Sequence, residues 1–237
     1  MVVASTLSAL NMDNLIAVID YGAGNLRNVC KALEHVGATL TLTDDLRVLE
    51  RANKLVLPGV GAFADCQQGL KQRGLFAPLR DLALAGKPLL GICVGMQLLF
   101  EAGEEMGEWE GLGLIGGRVV RFDHARRNTA PLKVPHIGWN QLWLKQPHHP
   151  LLAGLRDGDY AYFVHSYHAD LVNPDCILAT TDYGYEFPSI VAVGNVWGLQ
   201  FHPEKSQDVG LRLLRNFVAW SALAGQEDSH VYGLSSH

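Results

Sequence analysis

Cysteine is scarce in this chain and scattered. The four residues, Cys30, Cys66, Cys93 and Cys176, form no C-x-x-C pair. Neither a disulfide framework nor a zinc site is indicated, so a reduced cytoplasmic setting is the default expectation. Positive charge is also thin: 19 Lys and Arg stand against 24 Asp and Glu, a net charge of −5, and no basic run exceeds Arg126-Arg127. Such a surface offers no electrostatic footprint for nucleic acid. No membrane partner is expected either, because the most continuous apolar run, Pro88 to Phe100, is too short to span a bilayer. Pro- or Ser-rich linkers, internal repeats and low-complexity segments are absent. With 237 residues and 48% hydrophobic content, the chain reads as one domain with a sizeable core. Residues 1–13 carry no basic residue of the kind a targeting peptide needs. We expect them to be a disordered lead-in, with the domain over 14–223 and a flexible polar tail over 224–237.

Two nucleotide motifs are approached and missed. Gly22-x-Gly24 follows an apolar strand, Leu15 to Asp20, and precedes a helix, but Arg27 stands where a third glycine should pack. Pro58-Gly59-Val60-Gly61 also follows a strand yet lacks the Lys-Ser/Thr of a phosphate loop. No cofactor is expected. His148-His149-Pro150 has no Cys or carboxylate at ligand spacing, so no metal is expected either. His165 and His168 read as hydrogen-bonded residues at a strand end.

Periodicity alternates strand and helix through the first hundred residues. Strands are expected at 15–20, 39–43, 54–57 and before Cys93, with helices over 26–36, 64–73 and 75–85. That is α/β: a central, largely parallel sheet flanked by helices. From Leu114 to Leu199 the pattern becomes strand and turn, which adds antiparallel strands in the second half, and a helix over 209–223 closes the chain.

The chemistry gathers around Gly91-Ile-Cys93-Val-Gly95-Met-Gln97. An apolar strand running into Gly-x-Cys-x-Gly and then a helical pattern is the grammar of a nucleophile elbow. The glycines are required where a strained turn leaves no room for Cβ atoms. The following helix would set its N-terminal dipole beside the sulfur and free the Val94 N–H for an oxyanion. The Gly59-Val60-Gly61 loop ends a parallel strand on the same rim and can offer a second donor. Near the end, Gln200-Phe-His202-Pro-Glu204-Lys-Ser206 brings an imidazole to that rim with a carboxylate two residues on. Cys93, His202 and Glu204 thus have the logic of a triad.

With these two motifs the chain resembles the class I, triad-type glutamine amidotransferases over roughly residues 14 to 223. The resemblance implies a flavodoxin-like fold. Further stretches resemble the family of glutaminase subunits of imidazole glycerol phosphate synthase: Asp20-Tyr-Gly-Ala-Gly-Asn-Leu-Arg-Asn28, Pro58-Gly-Val-Gly-Ala-Phe63, Pro135-His-Ile-Gly-Trp-Asn140 and Tyr162-Phe-Val-His-Ser-Tyr167. The Pro135 to Asn140 segment is the most telling of them.

By that resemblance Cys93 attacks the side-chain amide of L-glutamine, with His202 and Glu204 completing the triad. The backbone of Val60 and Val94 forms the oxyanion hole. Gly59, Gly61, Gln97, Ser166 and Tyr167 hold the glutamine. The implied partner is a (β/α)8-barrel cyclase subunit in a heterodimer, which receives the ammonia, and Asn25, Asn28 and Trp139 would lie at that interface. Two departures stand out. Val94 replaces the usual Leu, and the stretch Val191 to Asn195 lacks the basic residue that the family often uses for a partner salt bridge. The residues leave room for a different amidotransferase, such as the glutaminase of pyridoxal phosphate synthesis. They also leave room for a γ-glutamyl hydrolase or cysteine peptidase on the same architecture, and for a catalytically silent scaffold.

Overall fold

The computed structural model of the chain describes residues 14–123, 125 and 132–221. The expected lead-in over 1–13 and tail over 224–237 lie outside the described residues. The first half runs β1 (Ile16–Ile19), α1 (Leu26–His35), β2 (Leu40–Thr43), α2 (Leu46–Arg51), β3 (Lys54–Gly59), α3 (Phe63–Gln72), α4 (Phe76–Leu84), β4 (Leu89–Cys93) and α5 (Val94–Gln97). The second half is β5 (Phe100–Gly103), β6 (Trp109–Glu110), β7 (Ile115–Arg121), β8 (His136–Gln141), β9 (Trp143–Leu144), β10 (Tyr160–His165), β11 (Tyr167–Leu171), β12 (Ile177–Asp182), β13 (Glu186–Val193), β14 (Val196–Leu199) and α6 (Gln207–Ala219).

Eight strands form the main sheet in the order β2-β1-β3-β4-β14-β13-β12-β9. From β2 to β14 every pairing is parallel, and from β14 to β9 every pairing is antiparallel. The parallel strands β1, β3, β4 and β14 are buried at every position. Their unbroken apolar runs follow from having both faces covered. Two smaller sheets, β10-β8 and β11-β7-β5-β6, stand apart from the main one. In β10 burial alternates, with Ala161, Phe163 and His165 inside, as one covered face demands.

The run from Pro88 to Phe100 departs from expectation. The helix after Cys93 is only four residues long, and the chain returns to strand at Phe100. Leu98, Leu99 and Phe100 are all fully buried, so no solvent face exists along which an amphipathic helix could extend. A helix this short contributes little macrodipole, and the dipole argument for the sulfur weakens accordingly. The short helix α2 also escaped the periodicity. It is started by Asp45, whose carboxylate accepts from the Arg47 N–H.

Three glycines let β3, β4 and α5 touch. A Cβ on Gly95 would overlap the Leu57 carbonyl oxygen, one on Gly59 would strike the Gly95 nitrogen, and one on Gly91 would lie 2.6 Å from the Gly95 oxygen. At the other end of β3, the buried Lys54 ammonium donates to the Phe217 and Val218 carbonyls at 2.8 and 2.5 Å and closes the end of α6. Burial pushes the pKa of that ammonium down to about 8.

These contacts separate two kinds of glycine. Gly95→Ala should lower stability by about 1–3 kcal/mol through overpacking against backbone that cannot yield. Gly37, at φ +89° with nothing within 4 Å of its Cβ position, carries only the left-handed conformational term of about 1–2 kcal/mol on going to Ala. Urea midpoints of the two variants measure the difference, and Gly95→Ala also distorts the Cys93 turn whereas Gly37→Ala does not.

Candidate active site

The parallel strands end on one rim, and the rim carries the site. Cys93 sits where β4 becomes α5, at φ 55° and ψ −114°, a conformation that L-residues rarely hold. Strain of this kind persists only where the surroundings over-determine it. Here the glycine contacts of β3, β4 and α5 do so. Val94 opens α5, so its N–H has no intrahelical carbonyl to reach.

His202 follows β14 and is 3% exposed. Its Nδ1 donates to Glu204 Oε1 at 2.8 Å, which leaves the other ring nitrogen for the Cys93 sulfur, whose proximity helps to raise the imidazole pKa. The segment is stitched down on both sides. His202 N–H donates to the Tyr162 carbonyl at 3.0 Å, while the Ser206 hydroxyl donates to the His202 carbonyl at 2.7 Å and accepts from the Tyr162 N–H at 2.9 Å. Helix α6 presses on the turn from below, since a Cβ on Gly210 would overlap the Pro203 carbonyl.

Burial alone would lower the His202 pKa. The hydrogen bonds and charges of Cys93 and Glu204 outweigh it and carry the pKa up to about 10. Burial would raise Glu204, but the hydrogen bond and charge of His202, joined by the Asn25 amide, hold its carboxyl below the ordinary range. Asn25 Nδ2 donates to Glu204 Oε1 at 2.6 Å, and Asn28 Nδ2 donates to Asn25 Oδ1 at 2.6 Å. Two of the three residues assigned by resemblance to an interface, Asn25 and Asn28, therefore also lead, hydrogen bond by hydrogen bond, to the carboxylate. Asn25 holds a left-handed φ of 65° at the start of α1, a position that Asn tolerates better than most residues.

A cavity of about 410 Å³ opens over the sulfur. Val60, Gly61, Cys93, Val94, Gln97, Ser166, Tyr167, His202 and Asn25 all line it. Gly59 does not, because it lies beneath, against Gly95. Glu204 is behind His202, its side chain 1% exposed, and borders an outer groove with Asn28. Trp139, 46% exposed, stands with Tyr160 on a separate shallow groove. Gln97 Nε2 donates to the Tyr167 carbonyl at 3.0 Å and to Gln200 Oε1 at 3.2 Å. The loop before α3 is gripped from below: Tyr21 donates to the Pro58 carbonyl at 2.5 Å, and the Cys66 thiol to the Val60 carbonyl at 3.4 Å.

Sequence reasoning overlooked Glu105 and His165 as cavity residues. Glu105 follows β5, and one carboxylate oxygen accepts from the Phe63 N–H at 2.7 Å. No spacing ties it to Cys93, so only the fold brings it there. His165 and His168 are hydrogen-bonded, as expected, and both are buried within an aromatic cluster, His165 at the end of β10 where it borders the cavity. His149 is occupied in accepting from the Leu151 N–H. Among the described residues no group of three His, Cys, Asp or Glu is arranged to hold a metal ion, and no helix is long and apolar enough to cross a membrane.

A buried thiol at a strained strand-to-helix turn, followed in series by imidazole and carboxylate, defines a cysteine acyl-transfer centre. The chain belongs to the family described as glutamine amidotransferase class-I, whose sequence model matches residues 17–220. Within that family it is 48% identical, over 209 residues, to the imidazole glycerol phosphate synthase subunit HisH of Sulfurimonas denitrificans, covering 88% of this chain and 100% of that one. The subunit of the same name from Salinibacter ruber is 51% identical over 206 residues, covering 86% and 94%. A solved structure described as a glutamine amidotransferase superposes with a TM-score of 0.67 at 22% identity, covering 86% of this chain and 96% of its own. PurLQS from Thermotoga maritima gives 0.66 at 18% identity over the same shares. These two likenesses bear on the fold alone.

The raised pKa of His202 has two measurable consequences. Cys93→Ala removes contacts that raise it, so the ring's titration midpoint should fall from about 10, as NMR of the imidazole protons against pH would show. Because the folded value exceeds the ordinary 6.5, His202 stabilises the fold fully below about pH 6.5. That contribution is lost as pH rises through about 10. Urea denaturation across this window should show less alkaline loss in Cys93→Ala than in the unaltered chain.

Proposed function

We propose that this chain is the glutaminase subunit of an imidazole glycerol phosphate synthase, acting in histidine biosynthesis. It hydrolyses L-glutamine and delivers ammonia to a (β/α)8-barrel cyclase partner, which forms imidazole glycerol phosphate and an aminoimidazole carboxamide ribotide. The observation that carries the chemistry is the series Cys93, His202, Glu204 beside a cavity that Gln97, Ser166 and Tyr167 also line.

The steps follow from that geometry. The Cys93 thiol passes its proton to the His202 imidazole as the sulfur attacks the side-chain amide carbon, and the oxyanion that forms is met by the N–H groups of Val94 and Val60. The protonated imidazole, favoured by the raised His202 pKa, then gives that proton to the leaving ammonia as the C–N bond breaks. The neutral imidazole then takes a proton from water, hydroxide attacks the thioester carbon, and glutamate leaves as the sulfur is regenerated. Glu204 holds the ring's orientation throughout and its tautomer when it is neutral, and Asn25 holds Glu204. Gln97 and the Ser166-Tyr167 backbone orient the substrate's backbone groups, and the Glu105 carboxylate in the same cavity suits its α-ammonium.

The partner reading draws support from the surface. Ile137, Trp139 and Tyr160 are 60%, 46% and 51% exposed, and Trp139 faces Tyr162 across the β8-β10 ladder. On this reading the bound partner would set the Gly59-Val60 peptide so that its N–H faces the oxyanion. The subunit alone would then lack one donor, which typically costs ~10²–10³ in rate.

Glutamate release from glutamine, with and without the cyclase and its nucleotide substrate, tests this directly. We expect stimulation by the partner of ~10²–10³, and no turnover in Cys93→Ala under either condition. Partner-independent hydrolysis of γ-glutamyl peptides would favour a hydrolase instead. Asn25→Ala leaves the buried Glu204 short of a donor and should lower turnover by on the order of tenfold. Unchanged turnover would reduce the Asn25 bond to a local contact.

A further inference from the structure

Strand β8 faces two ways. Ile137 and Trp139 are exposed, whereas His136 is 3% exposed. The inward face does not simply add apolar packing; it carries a directed run of hydrogen bonds. Asn140 Nδ2 donates to the Asp182 carbonyl at 2.8 Å while its Oδ1 accepts from the Gln141 N–H at 2.8 Å, which fixes how the amide is turned. The same Nδ2 lies 3.3 Å from His136 Nε2. His136 Nδ1 lies 3.1 Å from His165 Nε2, and His165 Nδ1 lies 2.8 Å from the Tyr167 carbonyl.

A carbonyl oxygen only accepts, so His165 carries its hydrogen on Nδ1 and its Nε2 accepts. The hydrogen between the rings then belongs to His136 Nδ1, and His136 Nε2 is left to accept from Asn140. All the bonds run one way, and both rings are neutral. Packing holds them there. His136 stacks between Phe163 and Tyr183, with ring centroids at 4.9 and 4.0 Å and interplanar angles of 23° and 26°. Burial lowers the His136 pKa to about 4 and takes His165 well below its ordinary value. The run ends on the Tyr167 carbonyl, the oxygen that also receives Gln97 Nε2.

We propose that His136 and His165 are positioning residues for the substrate, holding the Tyr167 peptide and, through it, the Gln97 amide in the geometry that binds glutamine, and tying both to the strand whose other face carries Ile137 and Trp139. This rests on the glutaminase reading. The inward half of the Pro135-to-Asn140 segment then serves the substrate, while its outward half serves a partner.

The test is steady-state glutaminase kinetics with saturating cyclase and nucleotide, together with imidazole ¹⁵N NMR of the resting protein. His165→Leu removes the donor to the Tyr167 carbonyl, and KM for glutamine should rise on the order of tenfold with a much smaller change in kcat. His165→Asn places an amide nitrogen near the position of Nδ1 and should recover most of that KM. His136→Phe keeps the stacked ring, removes the donor to His165, and should raise KM by a smaller factor. Should His165→Leu fail to fold, His136→Phe decides in its place. The ¹⁵N shifts should report Nδ1–H for both rings. An unchanged KM in a folded variant, a fall in kcat alone, or an Nε2–H tautomer in either ring would overturn the proposal. A wild-type complex with no glutaminase activity would instead overturn the functional reading beneath it, before any variant is made.

Discussion

The contact on which the site depends is backbone against backbone. Gly95 in α5 lies so close to the Leu57 carbonyl of β3 that no side chain fits between them. Parallel strands are ordinarily followed by helices that pack at side-chain distance. Here three glycines remove that spacing, and the chain must reverse direction within one residue. Cys93 is that residue, and its positive φ is the geometric result. The strain lifts the sulfur above the sheet's rim and leaves the Val94 N–H without an acceptor beside it. The placement of the Cys93 thiol and that of the neighbouring N–H therefore have a common cause.

Charge in the site is held by hydrogen bonds, because burial works against it. His202 and Glu204 are nearly inaccessible, and an isolated ion at either position would be strongly disfavoured. The pair persists because the imidazole has an acceptor on one side and the sulfur on the other, while Glu204 Oε1 receives two donors. Glu204 Oε2 is buried with no hydrogen-bond partner among the described residues. Only one oxygen of the carboxylate is engaged, and it is the one shared by His202 and Asn25. The Gly22-x-Gly24 turn, which invited a nucleotide reading, thus presents Asn25 to a carboxylate. A phosphate-binding role would instead have needed its N–H groups aimed outward.

Two hydrogen-bonded routes reach the cavity from the surface. One runs from Asn28 through Asn25 to Glu204 and His202. The other runs from β8 through His136 and His165 to the peptide beside Gln97. Both are short and fully buried at their inner ends, conditions under which a displaced donor is felt by its neighbour. Exposed aromatic and aliphatic residues lie on the outer face of the second route.

Much of this was legible in the sequence, for reasons that can be stated. Strands β1, β3 and β4 are local apolar runs. The elbow is a local glycine pattern, and His202 with Glu204 are neighbours fixed by Pro203. Each is a property of a few consecutive residues, so composition and spacing reveal it. The length of α5 was not legible, because what ends that helix is the burial of Leu98 to Phe100 on every side. Nor was the bond from Asn25 to Glu204, which joins positions 179 residues apart. Glu105, His136 and His165 acquire their places only when the two smaller sheets fold over the rim. The sequence by itself determined the class of chemistry, since a thiol, an imidazole and a carboxylate on one strand rim permit little else. The tertiary structure decided which polar groups surround them and in which direction each bond runs, because hydrogen bonding is directional and its partners here lie far apart along the chain.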